Sequence, residues 1–350
     1  MNKQSKNILV INEGNSDNLG DQAINKSLEY IIKDCFSQNY HFEDLSRHKR
    51  VNYIYEVSVK DVKSPKFNVH KIYKSIKTLI YRLIWIVRNI NRINKAVKLN
   101  NYAIIGGGQL LLANNIFPFQ VYVWTFFLKY HNVKYSFFSV GTQGNFSKYD
   151  RYFLKNALSG AEKIFVRDQL SKDLIKLNFN INSRLTYDVA FMYNKIDKFE
   201  SCNEIYSILL GPVDIRVFKL YKESFIESDD YHLLWLELIK NYDITKIKLF
   251  YSTNDDKLQC VKFQNFVKKK LNYKLDILEN FNIDSFIRNI KKSKLVISGR
   301  MHSLILAKTF NVNYVTFEVS DKLFEFNKIY KELNLTDIQT DLLKKIKTIL

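Results

Sequence analysis

Residues 295–310 read LVISGRMHSLILAKTF. Leu295, Val296 and Ile297 run into Ser298 and Gly299, then Arg300 and His302, then a second apolar stretch. A buried strand that ends in Ser-Gly and turns at once into a helix is the repeating unit of a parallel sheet. The polar pair raises a separate question, because charge at a buried junction is costly unless something pairs with it. Either the two residues sit on an ordinary surface turn, or they hold an anion where helix N-terminal amides already favour one.

The same pattern recurs in both directions along the chain. NILVINEG from Asn7 is a strand, and the helix after it keeps Ala23, Ile24, Leu28, Ile31 and Ile32 at helical spacing. YAIIGGGQLL from Tyr102 and VKYSFFSVGTQG from Val133 are strands ending in glycine, and AEKIFVRDQLSKDLIKL from Ala161 gives strand, turn and helix. A polar stretch, 192–204, interrupts the alternation. It restarts with IYSILLGPVD from Ile205, KIKLFYSTNDD from Lys246, LDILE from Leu275, KLVISG from Lys294 and NYVTFEVSD from Asn313. The expectation is an α/β protein of two Rossmann-like parallel-sheet domains, 1–195 and 203–350, facing across a cleft at the carboxyl ends of their strands.

Composition bounds the function classes. The chain has 350 residues, 46% hydrophobic and 25% charged, which suits two globular domains of roughly 150 residues. Its three cysteines, Cys35, Cys202 and Cys260, have no metal or disulfide spacing, so a reducing, cytoplasmic setting is expected. The N-terminus reads as a strand and not a signal peptide, and the richest apolar stretch, from Leu110, is broken by Asn114, Asn115, Pro118 and Gln120. A net charge of +19 points to an anionic partner, although a lysine-rich, asparagine-rich composition of this kind also follows from AT-rich coding. No nucleic-acid motif accompanies the charge, and no His-x-x-His, cysteine cluster or Asp-x-Asp suggests a metal; no cofactor is expected.

Only ten glycines are present, and eight close predicted strands: Gly14, Gly20, Gly106, Gly107, Gly108, Gly141, Gly144 and Gly299. Each permits a tight turn, or a close approach of backbone to an anion. Neither the Rossmann glycine fingerprint nor a phosphate-binding P-loop is among them.

The order of these turns resembles the polysaccharide pyruvyl transferases. Asn18, Gly20 and Asp21 match an Asn-x-Gly-Asp opening, Gly106 to Gly108 a triple-glycine turn, and Gly141 with Gly144 a Gly-x-x-Gly turn. Arg167, Asp168 and Ser171 match Arg-Asp-x-x-Ser; Asp188, Ala190 and Phe191 match Asp-Pro-Ala-Phe with Val189 for proline; Arg300 to His302 match Arg-x-His. Asn313 stands where a second proline often follows the final helix. The resemblance implies a glycosyltransferase-B-like fold. It also implies transfer of pyruvate from phosphoenolpyruvate onto two hydroxyls of a sugar, as a ketal, in a surface or capsular polysaccharide or its precursor.

Phosphoenolpyruvate carries a phosphate and a carboxylate, both suited to an arginine fork, and its ketal chemistry needs a proton donor and acceptor, as a histidine supplies. On that basis Arg300 and His302 are the catalytic candidates. Ser298, Gly299, Arg167 and Lys322 join them on the donor side. Asn18, Gly20, Asp21, Gly107, Gly108, Gln109, Gly141, Gln143 and Asp188 are candidates for the acceptor sugar. The alternative for Arg167 is a pair with Asp168 or with a helix end. A nucleotide-sugar glycosyltransferase of the same fold fits the same residues. So does a membrane-surface protein, because Lys71 to Leu99 has eight basic residues and no acid. There Ile72, Ile76, Leu79, Ile80, Leu83, Ile84, Val87 and Ile90 form one helical face, with Trp85 near its edge and Arg82, Arg88 and Arg92 on a basic rim. Such a helix either packs on its own domain or lies on an anionic membrane surface.

Overall fold

Every residue of Ile8–Asn12 (β1) is buried, as expected of a strand covered by helices on both faces. It belongs to the first of two parallel sheets in the computed structural model, which describes residues 7–36, 39–46, 70–114, 116–196, 206–222 and 225–349, with main chain alone at 70–76, 206–207 and 321–322. After β1 come α1 (Leu19–Cys35), β2 (Tyr40–Asp44), α2 (His70–Lys98), β3 (Tyr102–Leu112) and α3 (Phe117–Tyr130). They are followed by β4 (Lys134–Gln143), α4 (Lys148–Ser159), β5 (Ile164–Val166), α5 (Gln169–Phe179) and β6 (Arg184–Leu185). The six strands are all parallel, in the order β2-β1-β3-β4-β5-β6. Leu9, Ile11, Ile105 and Phe137 share one core with Trp124 of α3 and Ile93 of α2.

The second sheet begins at β7 (Tyr206–Gly211), with α6 (Ile215–Lys222), α7 (Ser228–Ile239), β8 (Ile247–Leu249), α8 (Asn254–Leu271) and β9 (Asp276–Ile277) behind it. It is completed by α9 (Ile283–Lys291), β10 (Ser293–Ser298), α10 (Met301–Thr309) and β11 (Asn313–Thr316), and the chain closes with α11 (Asp321–Tyr330) and α12 (Leu335–Lys347). The order is β11-β10-β7-β8-β9, again all parallel. Strand order reverses between β7 and β10, which makes the carboxyl ends of those two strands the topological switch point of a doubly wound sheet. Leu210, Leu249 and Ile297 pack there with Trp235 of α7 and Phe263 of α8.

Packing divides the chain differently from the linear boundary after residue 195. Residues up to Asn15, 32–188 and from Leu342 onward form one unit; 16–31 and 189–341 form the other. Two long-range contacts hold the start of α1 in the second unit: Leu19 N–H donates to the Ser252 carbonyl at 2.9 Å, and Lys26 pairs with Asp284 at 2.7 Å. The end of the chain returns to the first, where Lys163 donates to the Thr348 carbonyl. Local patterning carries no information on such contacts. Of the polar stretch at 192–204, residues 192–195 end a 3-10 turn (Val189–Lys195), and 197–204 lie outside the described residues, Cys202 among them.

The basic segment is α2. Trp85, placed by its spacing near the edge of the apolar face, is buried, and its indole N–H donates to the Ser46 carbonyl at 2.8 Å. The expected rim is also redistributed. Arg92 is drawn in against Glu43 at 2.7 Å and only partly exposed, and the Arg82 guanidinium lies 5.3 Å from the Phe119 ring, leaving Arg88 as the exposed one of the three. Arginine stems and forks pack well on rings and carboxylates, so a basic residue at a helix edge is easily drawn inward.

Gly106 shows how closely β3 and β4 approach. A Cβ there would stand 2.2 Å from the carbonyl oxygen of Phe138, a backbone atom that cannot swing aside. Gly106→Ala should therefore destabilise the first unit by about 1–3 kcal/mol, the usual range for overpacking. Urea unfolding followed through Trp85 and Trp124, in a Trp235→Phe background that silences the second unit, should show the midpoint fall.

Candidate active site

Three helices of the second unit begin beside one another. Leu19, the first residue of α1, donates its N–H to the carbonyl of Ser252, which directly precedes the Thr253 cap of α8. Asn254, the first residue of α8, donates to Asp17 Oδ2 at 3.4 Å. Arg300 occupies the N-cap position of α10 and makes no side-chain cap there. Instead its fork turns to α8, with Nε donating to Asp256 Oδ2 at 2.9 Å and Nη2 to Asp256 Oδ1 at 2.8 Å. Helix N-termini carry partial positive charge, so a convergence of three favours an anion, although several first-turn amides of α1 and α8 are already occupied by Ser252, Asn18, Asp17 and Thr253.

The Arg300–Asp256 pair answers why a charged residue stands at a buried junction. Asp256 is 2% exposed, and its oxygens also accept from the main-chain N–H of Asp214 at 3.1 Å and the Ser252 hydroxyl at 3.3 Å. The crevice beside the pair, lined partly by Gly211 and Phe250, is too narrow to admit a water molecule. Burial alone would lower the pKa of Arg300, but the Asp256 carboxylate outweighs it and raises the pKa above the ordinary guanidinium value. Arg300 itself is 26% exposed, and the pairing does not use its Nη1 edge. Its charge is thus fixed in direction by a dry carboxylate while about a quarter of the side chain, 26%, stays exposed.

His302, two residues on, rests against α1. A Cβ added to Gly20 would meet His302 Cβ and Nδ1 at 2.7 Å, so only glycine lets the ring lie there. Asn18 prepares that turn, its Oδ1 accepting from Gly20 N–H at 2.9 Å and its carbonyl from Asp21 N–H at 3.0 Å. The Asn18–Asp21 turn, expected on the acceptor side, is therefore packed with the donor candidates. Ser298 is buried, with its hydroxyl accepting from Arg300 N–H at 3.1 Å, and Gly299 is held by Val213, which a Cβ would approach to 2.7 Å. Lys322 lies on α11, with its side chain outside those described.

The first unit gathers the remaining motif residues in the carboxyl halves of β3 and β4 and just past β5 and β6. Arg167, expected to contact donor, is 2% exposed and donates through Nη1 to Asp188 Oδ2 at 2.7 Å, with Asp168 at 3.6 Å from its Nε. Asp188, expected to contact acceptor, is equally buried. Each is engaged with the other. Gly141 makes room for them, since a Cβ would stand 2.6 Å from Arg167 Nε. Gly107 and Gly108 adopt φ of 72° and 87°, conformations that side chains disfavour, and Gln109 Nε2 donates to Gln143 Oε1 at 2.7 Å. The two amides expected to meet a sugar thus meet each other, at partly exposed positions.

Sequence reasoning missed Asp256 and its cap. The signal was present: Thr253-Asn-Asp-Asp256 directly after a strand reads as an N-cap with an acid three residues on. Among the described residues no group of three His, Cys, Asp or Glu is set to hold a metal ion. A larger depression of about 680 Å³, lined by apolar residues such as Leu233, Tyr242 and Leu271, lies on the outer side of α7, away from these groups.

A family model described as polysaccharide pyruvyl transferase matches residues 18–321. No curated protein matches the chain. Among solved structures, UDP-bound MnaA of S. aureus aligns at 12% identity and a TM-score of 0.50, over 89% of this chain and 79% of that one. A UDP-GlcNAc 2-epimerase of Methanocaldococcus jannaschii aligns at 12% identity and a TM-score of 0.50, over 96% and 91%. Likeness at this identity shows the fold, a glycosyltransferase-B-like pair of Rossmann-like sheets.

Removing one partner of a buried ion pair leaves the other charge uncompensated. Arg300→Ala should cost about 3–5 kcal/mol on that ground. Arg300→Ala with Asp256→Ala should recover much of the loss. Urea melts of both variants, read through Trp235, check this, and they fix which variants remain folded enough for binding work.

Proposed function

Because the chain belongs to the polysaccharide pyruvyl transferase family, we propose that it transfers pyruvate from phosphoenolpyruvate onto two hydroxyls of one sugar, forming a ketal. The observation that supports the donor's place is the contact of His302 with Gly20, which joins the Arg-x-His and Asn-x-Gly-Asp turns at three helix N-termini. The switch point of the second sheet is the usual ligand position in such a fold.

In this reading the helix ends and the outer edge of the Arg300 fork take the phosphate and carboxylate of the donor. Asp256 is a positioning residue that keeps the guanidinium aimed. C3 of the enol takes a proton, which makes C2 electrophilic. One sugar hydroxyl adds to C2, the bond from C2 to the phosphate oxygen breaks, and the second hydroxyl takes the vacated place. Two hydroxyl protons are given up in all. One is accounted for in the new methyl group, the other on the phosphate released as hydrogen phosphate. His302, partly exposed beside the bound anion, is the group that gives and takes these protons. Of the first unit's acceptor candidates, the partly exposed Gln109 and Gln143 amides are kept, and not the buried Gly107, Gly108 or Asp188.

Phosphoenolpyruvate should raise the melting temperature of the protein, reflecting about 2.7 kcal/mol at roughly 100 times its Kd. A rise with UDP-sugars and none with phosphoenolpyruvate would replace this donor by a nucleotide sugar. His302→Asn should keep the melting response while lowering phosphate release in the presence of acceptor by about 10²–10⁴. Unchanged release would move the proton transfers to another group.

A further inference from the structure

Helix α2 is anchored along one side and, among the described residues, bare along another. Trp85 and Asn89 are 5% and 6% exposed, and Ile93 is fully buried. Arg92 donates to Glu43 at 2.7 Å and to the Asp44 carbonyl at 2.8 Å. These contacts fix the rotation of the helix about its axis. At 3.6 residues per turn, they leave Leu79, Ile80, Leu83, Ile84 and Val87 facing outward, and these stay 46–76% exposed. Single exposed aliphatic residues are ordinary, but five on adjoining turns form a patch of the kind that marks an interaction site.

The surroundings of the patch say what covers it. Lys77, Arg88 and Lys95, spaced by eleven and seven residues, form one exposed row along its edge, and the whole helix contains no acid. On its other side ring contacts lead from Arg82 over Phe153 to Tyr122, and from there to Tyr152 and Phe126, both about half exposed. Aromatic residues beside lysine and arginine are the side chains favoured at a membrane–water boundary. Among the described residues no helix is long and apolar enough to cross a membrane, so contact with lipid would be lateral.

We propose that α2 lies in the headgroup layer of an anionic phospholipid bilayer, with the aliphatic stripe toward the acyl chains and the Lys77–Arg88–Lys95 row toward the headgroups. A second copy of the chain fits this face poorly. Apposed α2 helices would set the exposed Lys77–Arg88–Lys95 row of one against that of the other, with no acid on either helix. An anionic lipid surface supplies the missing opposite charge. This contact is independent of the donor chemistry, and failure of either leaves the other standing.

The test is co-sedimentation of the full chain with vesicles of phosphatidylglycerol and phosphatidylcholine in equal parts, against phosphatidylcholine alone. The protein should sediment with the anionic vesicles, and less so as added salt shortens the Debye length from about 10 Å toward about 3 Å. Lys77→Gln, Arg88→Gln and Lys95→Gln together should weaken partitioning on the order of a hundredfold. Leu83→Glu with Val87→Glu should abolish it. All five side chains are exposed, so both variants should keep the wild-type melting curve, which variants at Arg82 or Arg92 would not. Three outcomes overturn the proposal: no sedimentation with either vesicle, equal sedimentation with both, or a wild-type dimer that Leu83→Glu and Val87→Glu convert to monomer.

Discussion

A carboxylate withdrawn from water must have its lone pairs occupied, and in Asp256 they are occupied from three strands at once. Arg300 follows β10, Asp214 follows β7 and Ser252 follows β8, and all three donate to the same group. The carboxylate therefore ties together the carboxyl edge of the second sheet at its switch point. The site depends on that tie. With Arg300 held, α10 starts in a fixed direction. His302 then falls on Gly20, and α1 is drawn beside α8 and α10.

The first unit contains a second arginine–carboxylate pair, Arg167 with Asp188, built from the same two functional groups at nearly the same distance. What separates the two is exposure. Arg167 and Asp188 are both 2% exposed, whereas Arg300 is 26% exposed over a buried Asp256. A pair closed to solvent on both sides braces the ends of β5 and β6. A pair buried on the acid side and open on the base side presents an oriented cation to whatever approaches. Residue type in a motif thus says that a charge is present, and burial says whether that charge is spent on the fold.

The same distinction runs along α2. Its arginines look alike in a helical projection, yet Arg92 is consumed by Glu43 and the Trp124 face, and Arg82 by two rings. The charge left at the surface comes from lysines and Arg88. A net charge of +19 therefore overstates the basic surface available at any one place, and the exposed row on α2 matters because it adjoins exposed aliphatic residues.

Much of this protein could be read from the chain alone, because the relevant physics is local. Runs such as Ile8–Asn12 and Leu295–Ser298 are continuous and apolar, since strands of a parallel sheet are covered on both faces, and that fixes the fold class. The short β2 and β6 escaped notice because their patterns are too brief or too polar to stand out. The turns carrying Asn18, Gly20, Arg300 and His302 were legible as turns, because a tight reversal limits the residues that can form it. What those turns meet was not legible. Asp256 under Arg300, His302 over Gly20, Asp188 on Arg167 and the transfer of residues 16–31 to the second unit all join positions that are remote in sequence. Local propensity and periodicity act over a few residues, whereas pairing and burial are settled only when distant segments exclude water together, and only tertiary structure decides that.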